Sequence, residues 1–127
     1  GILAIAAVKL KNSIRATAVD NDPDAIENAA ENLILNNVQD SVTLSSEPVF
    51  KFEGKYDLVI ANIISSVLYF LSDDLRRLTS KWLVLSGVLE SEAPVFMQRM
   101  GLEEEFELIE KTNENEWSGY LLKRRDK

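Results

Sequence analysis

Apolar and polar positions change their spacing along the chain, and these changes predict a series of helices and strands. Apolar side chains recur at helical spacing from Ile26 to Leu33, with Asp22 placed to cap the helix and Pro23 at its first position. Residues 56–62 form a continuous apolar run instead, which is typical of a parallel strand covered on both faces. Alternating strands and helices predict a parallel sheet with helices on both faces.

The remaining segments extend the same pattern. We expect helices over residues 2–11, 22–35, 64–78 and 92–100, and strands over residues 15–19, 42–44, 56–62 and 82–85. A loop covers residues 50–55, and Ser86-Gly87 closes the strand that begins at Trp82. We expect a terminal antiparallel hairpin, with strands over residues 106–110 and 117–122 on either side of a turn at residues 113–115.

Composition narrows the class of protein. The 127 residues suffice for one domain with a modest core. The net charge of −7 argues against binding nucleic acid through its phosphates and permits a basic protein partner. No apolar run approaches the roughly 20 residues of a membrane helix. Cysteine and histidine are absent, which excludes disulfides, the usual zinc sites and Ser-His triads and makes the cytoplasm the default location. Nothing in the sequence indicates an oligomeric state.

The acidic residue after the first strand is the first candidate for ligand binding. Asp20 follows an apolar strand, and a helix begins almost at once. A carboxylate at the carboxyl end of a parallel strand can accept hydrogen bonds from both ribose hydroxyls of a nucleotide-like cofactor; the alternative is a simple helix-capping turn. The terminal hairpin favours S-adenosylmethionine over a nicotinamide cofactor, because dinucleotide dehydrogenases continue with further strand–helix units.

Four segments, with Glu116-Trp117 near the end, carry a resemblance to a known family. They are GILAIAA from Gly1, VDNDPDA from Val19, DLVIANI from Asp57 and LSGVL from Leu85. In their order and spacing, the chain resembles the catalytic domain of bacterial ribosomal protein methyltransferases of the PrmA type. The resemblance implies a class I, Rossmann-like methyltransferase sheet and the cofactor S-adenosylmethionine. It also implies N-methylation of lysine or N-terminal amino groups of large-subunit ribosomal protein eleven, a basic protein, without direct contact with nucleic acid.

The resemblance further implies that residues 1–127 are a partial catalytic domain. Family members have a strand and a glycine-rich loop before the segment GILAI, and an amino-terminal substrate-recognition domain before that; Gly1 matches the last glycine of the loop. The strand lies mid-sheet, between the strands at residues 15–19 and 56–62, so its loss leaves two sets of backbone hydrogen bonds unmet. We therefore expect the sheet of this chain to be rearranged, gapped or filled by another chain.

The resemblance also assigns site residues. Cofactor contacts are expected at Gly1, Asp20, Asn21, Ser46 and Asn62. Asn62 is the candidate for the chemistry, because it ends the strongest strand at the edge where ligands bind. Related enzymes that methylate amides or nucleobases have Asn-Pro-Pro-Tyr where this chain has Asn-Ile-Ile-Ser, so an aliphatic amine fits better. The Asn62 carbonyl would accept a hydrogen bond from that amine; the alternative role is capping the next helix.

The rest of the expected acceptor pocket comes from two segments, and it is lined by Ile63, Ser86, Gly87 and Leu89. Trp117 packs either on the cofactor side or in the core. Two other functions stay open: a methyltransferase of the same fold that acts on a small molecule or another protein, and a non-catalytic Rossmann-like module. Binding of S-adenosylhomocysteine, with and without the upstream strand, separates an enzyme from such a module.

Overall fold

The computed structural model describes residue 9, residues 15–20 and residues 22–126. The chain divides into two compact units, Gly1–Phe52 and Glu53–Lys127. Three expectations fall outside the described residues: the helix over residues 2–11 apart from its residue 9, and the site residues Gly1 and Asn21. No helix among the residues described is both long and apolar enough to cross a membrane.

The first unit contains two parallel strands joined through a helix. Its elements are β1 (Ala16–Val19), α1 (Pro23–Leu35) and β2 (Val42–Ser45). The strands pair in register from Ala16 opposite Val42 to Val19 opposite Ser45, and they form a separate two-stranded sheet. This is the strand–helix–strand unit that the sequence predicts.

Local chemistry fixes the two ends of α1 as predicted. The Asp22 carboxylate accepts a hydrogen bond from the Asp24 backbone N–H at 3.0 Å, and proline occupies the first turn. Ala29 and Leu33 are buried, and Leu33 packs with Val42 of β2. The helix ends at Leu35 with Asn36 as its C-cap, and Asn37 follows in a left-handed conformation with φ 57°. Asparagine tolerates that conformation better than most residues do.

The second unit is a four-stranded mixed sheet with helices. Its elements are β3 (Tyr56–Asn62), α2 (Ser65–Leu78), β4 (Thr79–Leu89), α3 (Ala93–Met100), β5 (Phe106–Glu114) and β6 (Trp117–Arg124). The strand order is β3-β4-β6-β5, with β3 parallel to β4 and β6 antiparallel to both of its neighbours. The predicted terminal hairpin is therefore confirmed, and each of its strands is longer than expected.

Both helices of the second unit bury their apolar faces in one core. Leu68 and Leu75 of α2 and Phe96 of α3 pack in the same cluster as Leu83 and Leu85 of β4. Because α2 and α3 share that cluster and contact each other, they cover the same face of the sheet. Within this unit, the two helices therefore form one layer on a single face of the four-stranded sheet.

The apolar strand β3 is less buried than predicted, because the unit's helices cover one face of the sheet. Ala61 is buried, but Leu58 and Ile60 are 48% and 40% exposed. Among the residues that the structure describes, β3 is at the edge of its sheet, and the unit's helices pack on the other face from these two side chains. The expected burial on both faces is therefore wrong within this unit.

Strand β4 and the segment before β3 correct two other boundaries. The strand does not close at Ser86-Gly87 but continues to Leu89, because a register shift between Ser86 and Val88 lets pairing with β6 resume. The segment expected as a loop over residues 50–55 overlaps a short 3₁₀ turn, Val49–Lys51.

Candidate functional site

The carboxyl edge of the two-stranded sheet carries two of the expected cofactor residues. Asp20 directly follows β1 and Ser46 directly follows β2, and both are exposed. The Asp20 N–H donates to the Ser45 carbonyl at 3.0 Å, which ties the two strand ends together. One Asp20 carboxylate oxygen accepts from the Asp22 N–H at 2.9 Å. An exposed carboxylate and a hydroxyl therefore stand at one edge of this sheet.

Asn62 lies at the carboxyl end of β3, opposite Ser86 of β4. The following Ile63 N–H donates to the Ser86 carbonyl at 3.2 Å, which extends the contact between the two strand ends. Helix α2 takes Ile64 as its N-cap, without a side-chain capping bond. The alternative role of Asn62 as a helix cap is therefore wrong. Its side chain is exposed and does not cap α2.

Gly87 permits a close approach of the two backbones at this place. Its φ is +91°, a conformation that residues with a Cβ atom rarely adopt. A Cβ built on Gly87 would lie 2.5 Å from the Ile63 carbonyl oxygen. A glycine is therefore required both by the conformation and by the space beside Ile63.

A cavity of about 500 Å³ opens where β3, β4 and the terminal hairpin meet, and each of its described lining residues belongs to the second unit. Its lining residues are Asn62, Ile63, Ile64, Ser86, Gly87, Thr112, Glu114, Trp117, Ser118 and Gly119. The expected pocket residues Asn62, Ile63, Ser86 and Gly87 therefore come together. Leu89 does not line the cavity; it lies two residues past Gly87, opposite Trp117.

The hairpin supplies lining residues that the sequence analysis missed. Thr112 and Glu114 are two residues apart on β5, so they lie on the same face of the strand. Ser118 and Gly119 follow on β6, and Thr112 Oγ1 would lie 2.9 Å from a Cβ on Gly119. The spacing of Thr112 and Glu114 shows in the sequence that both lie on one face of a strand. That this face lies near Asn62 follows only from the pairing of β6 with β4, which the sequence does not show.

A polar cluster lies behind the cavity wall at Ser118. The Ser118 hydroxyl donates to the Glu90 carboxylate in a short hydrogen bond. The Asn113 side-chain nitrogen lies 2.6 Å from Glu90 Oε2 and 2.9 Å from Ser118 Oγ, in the amide orientation that satisfies both groups. Lys111 Nζ lies 3.7 Å from Glu90 Oε1. Ser118 is 2% exposed, whereas the Glu90 side chain is 45% exposed.

Tyr120 borders this cluster, and its pKa is raised above the ordinary value of 10.0. Burial is the main cause, and the negative charge of Glu90 adds to it; the nearby Ser118 hydroxyl opposes the shift. The Tyr120 hydroxyl is buried without a well-formed hydrogen bond. Its ring stacks on Phe96 with centroids 4.7 Å apart. The environment therefore keeps this phenol protonated.

Comparison with known proteins identifies the family that the sequence resembles. The family model described as ribosomal protein L11 methyltransferase (PrmA) matches residues 1–125. The ribosomal protein L11 methyltransferase of Thermotoga maritima is 36% identical over 126 residues, which cover 98% of this chain and 47% of that protein. The chain spans less than half the length of such curated relatives.

Solved structures agree on the fold. The ribosomal protein L11 methylase of Lactobacillus delbrueckii subsp. bulgaricus is similar with a TM-score of 0.89 and 29% identity, over 99% of this chain and 65% of that one. An RNA methyltransferase from Salinibacter ruber, solved with S-adenosyl-L-homocysteine, has a TM-score of 0.76 and 18% identity, over 100% and 76% of the two chains. The fold is that of the class I methyltransferases, as the sequence analysis expected.

Proposed function

The chain belongs to the PrmA family of ribosomal protein L11 methyltransferases, and on that premise we propose that it is the catalytic part of an S-adenosylmethionine-dependent enzyme. The substrate would be an amino group of ribosomal protein L11, either a lysine side chain or the N-terminal amine. The observation that carries the proposal is the cavity at the carboxyl end of β3, with Asn62 in its wall. A basic ribosomal protein as substrate would place the reaction in the cytoplasm.

The first unit would hold the adenosine part of the cofactor. Asp20 and Ser46 are exposed at one strand edge, where a carboxylate can accept from ribose hydroxyls and a hydroxyl can contact the adenine edge. Asp22 is engaged in capping α1, which leaves Asp20 as the carboxylate for the ribose. Gly1 and Asn21 complete the proposed cofactor residues. When bound, S-adenosylmethionine supplies a methyl group already activated by the positive charge of its sulfonium.

Asn62 would orient the substrate amine. Its side chain lines the cavity and does not cap α2, so its carbonyl oxygen is available to accept an N–H of the amine. This hydrogen bond would direct the nitrogen lone pair, and alignment of reacting atoms is the main contribution a protein makes to such a transfer. Ile63, Ser86 and Gly87 would form the walls around the amine.

The amine must lose a proton before it can react, because free lysine has a pKa of about 10.4. The chain contains no histidine to accept that proton. The cavity has apolar walls at Ile63, Ile64 and Trp117, and partial desolvation there would lower the pKa of the amine. Solvent would then take the proton.

We also propose that the catalytic domain extends upstream of Gly1 by a strand and a glycine-rich loop. Among the residues described, β3 pairs only with β4, and Leu58 and Ile60 on β3 are more than one-third exposed. An additional strand at that edge would satisfy the open backbone groups of β3. The loop would bring backbone against the methionine part of the cofactor, where side chains would clash.

The test uses the full-length protein, with S-adenosylhomocysteine binding measured by calorimetry and methyl transfer to ribosomal protein L11 measured by mass spectrometry. D20A should weaken binding at least about tenfold, since hydrogen bonds to a charged group are lost. D40A is the matched control, because Asp40 is an exposed carboxylate near the opposite edge of the same sheet.

N62A should abolish most methyl transfer, and N28A, which alters an exposed asparagine on α1, should not change it. Full activity of N62A would contradict the role of Asn62. Absence of S-adenosylhomocysteine binding in the full-length protein would favour a non-catalytic module. Binding without methylation of ribosomal protein L11 would favour an enzyme with another substrate.

A further inference from the structure

The floor of the cavity is a row of paired residues that crosses the sheet. Asn62 of β3 lies opposite Ser86 of β4, which lies opposite Gly119 of β6. Gly119 in turn lies opposite Thr112 of β5. Paired residues on neighbouring strands share a face of the sheet, and these residues all line the cavity. Because Gly119 has no side chain, the middle of the floor is open; a Cβ there would lie 2.9 Å from Thr112 Oγ1.

A carboxylate and an indole ring lie beyond this floor, at the end of the hairpin. Glu114 follows Thr112 by two residues on β5, so it is on the same face of the strand. Trp117 of β6 lies directly opposite Glu114. Both residues line the cavity and both are exposed, Trp117 by 44%. A carboxylate attracts a cation by its charge, and the face of an indole ring attracts one by its quadrupole.

The Glu114 carboxylate has no cationic partner in the part of the chain that the structure describes. None of the ion pairs there includes Glu114. Lys111 on the same strand alternates to the other face, where its Nζ lies 3.7 Å from Glu90 Oε1. An unpaired negative charge in a cleft raises the local concentration of cationic ligands. The hairpin end of the cavity is therefore suited to a cation.

Glu114 is too far from Asn62 for both residues to bind the same amine. The strand order β3-β4-β6-β5 separates them by three strand spacings, about 14 Å in total. The two residues from Thr112 to Glu114 add about 7 Å along the strand. The Cα atoms of Asn62 and Glu114 are thus about 16 Å apart, and the two side chains are too short to meet across that separation. A cation at Glu114 must be a different group from the amine at Asn62.

We propose that Glu114 and Trp117 form a second subsite, which binds a cationic lysine or arginine side chain of the protein substrate while Asn62 orients the amine to be methylated. The inference rests on the proposed function and adds how one amine of the substrate is selected among others. Glu114 supplies the opposite charge, and the Trp117 ring supplies a face for the cation. A substrate must therefore present an amine and a second cation together, which a single free amine cannot do.

The test measures kcat and KM for methylation of ribosomal protein L11 by the full-length protein. E114Q should raise KM about fivefold, because an ion pair is lost. Its kcat and the pH profile of kcat should stay unchanged, because Glu114 does not contact the reacting nitrogen. E107Q is the matched control and should not change KM, since Glu107 is an exposed carboxylate of the same strand that does not line the cavity.

The aromatic part of the subsite is tested at Trp117. W117L should raise KM about threefold, because the ring face for the cation is lost. W117F keeps an aromatic ring and should retain most of the affinity. Equal losses in W117L and W117F would contradict the contact between the cation and the ring. If W117L does not fold, E114Q decides.

A scan of the substrate identifies the cation that is bound. Each lysine and arginine of L11 is replaced by glutamine in turn, and one replacement should raise KM in the wild-type enzyme without further effect in E114Q. Equal effects of every replacement in both enzymes, an unchanged KM in E114Q or an equal rise in E107Q would overturn the inference and leave the proposed function intact. A lower kcat with a shifted pH profile in E114Q would also overturn it, because Glu114 would then act on the reacting amine. A wild-type enzyme that transfers no methyl group to L11 would contradict the proposed function and the inference together.

Discussion

At the scale of single residues, the backbone conformation at Gly87 and the atoms around it exclude any side chain larger than hydrogen. Its positive φ and the Ile63 carbonyl beside it leave no space for a side chain. The sequence analysis placed Gly87 in the acceptor pocket from the motif LSGVL. The reason for a glycine, a close approach between the ends of two parallel strands, required the register of β3 against β4.

We expect G87A to destabilise the full-length protein by about 3 kcal/mol, because backbone strain adds to a steric clash. The matched control is G54A: Gly54 has a similar φ of +82°, but nothing lies within 4 Å of its added Cβ. That variant should be destabilised by only about 1 kcal/mol, because it adds backbone strain without a clash. Urea unfolding gives both values, and equal losses would contradict the role of the Ile63 contact.

Tyr120 predicts a pH dependence of stability. Burial and the Glu90 charge raise the pKa of Tyr120 above 10.0, so the folded protein retains this proton after the unfolded chain has lost it. The stabilisation is complete below the ordinary tyrosine pKa and is lost as the pH rises through the raised value. The slope can reach about −1.4 kcal/mol per pH unit. Unfolding measured from about pH 9 to 11 should show a shallower slope in Y120F, and the same slope would contradict the assignment.

At the scale of elements, the strength of the local signal decided what could be predicted. The bounds of α1 follow from Asp22, Pro23 and Asn36, which act within a few residues of the helix ends, and the sequence shows them directly. The length of β4 does not follow from local signals, because Ser86-Gly87 is typical of a strand end. The strand extends to Leu89 because it pairs with β6, which lies far along the chain.

The capping bond of α1 can be tested directly. D22A should destabilise the protein by about 1 kcal/mol, because the Asp24 N–H loses its partner. D22N keeps a side-chain oxygen acceptor and should retain most of that stability. Chemical denaturation measures the difference, while the affinity for S-adenosylhomocysteine should change less than in D20A. A larger loss of affinity in D22A than in D20A would contradict the separation of capping from cofactor binding.

At the scale of the whole molecule, the strands that the structure describes belong to two sheets, one in each compact unit. The sequence analysis expected a gapped or rearranged sheet, because a mid-sheet strand belongs before Gly1 in the family. The family resemblance gave the acceptor residues Asn62, Ser86 and Gly87, which meet at one cavity. It did not give Glu114 and Ser118, because their place depends on how the hairpin pairs with β4 and not on any motif of their own.

On the proposal that a strand and a glycine-rich loop lie upstream of Gly1, we predict that adding them raises the melting temperature and the affinity for S-adenosylhomocysteine above those of the 127-residue chain. The physical reason is the open edge of β3 and its exposed Leu58 and Ile60. Thermal unfolding and calorimetry on both proteins provide the measurement. A sharp, cooperative melt of the shorter chain with equal affinity would contradict the prediction.

The position of β6 between β4 and β5 has a consequence for the order of synthesis. Chains emerge from the ribosome amino terminus first, at about 5–20 residues per second. The strand Trp117–Arg124 is an inner strand of its sheet, so the sheet remains split until this late segment has emerged. Trp117 and Ser118 of the cavity wall arrive with it. A nascent chain that has not yet extended to Trp117 therefore lacks part of the cavity wall, and the cavity is complete only after β6 has paired with β4 and β5.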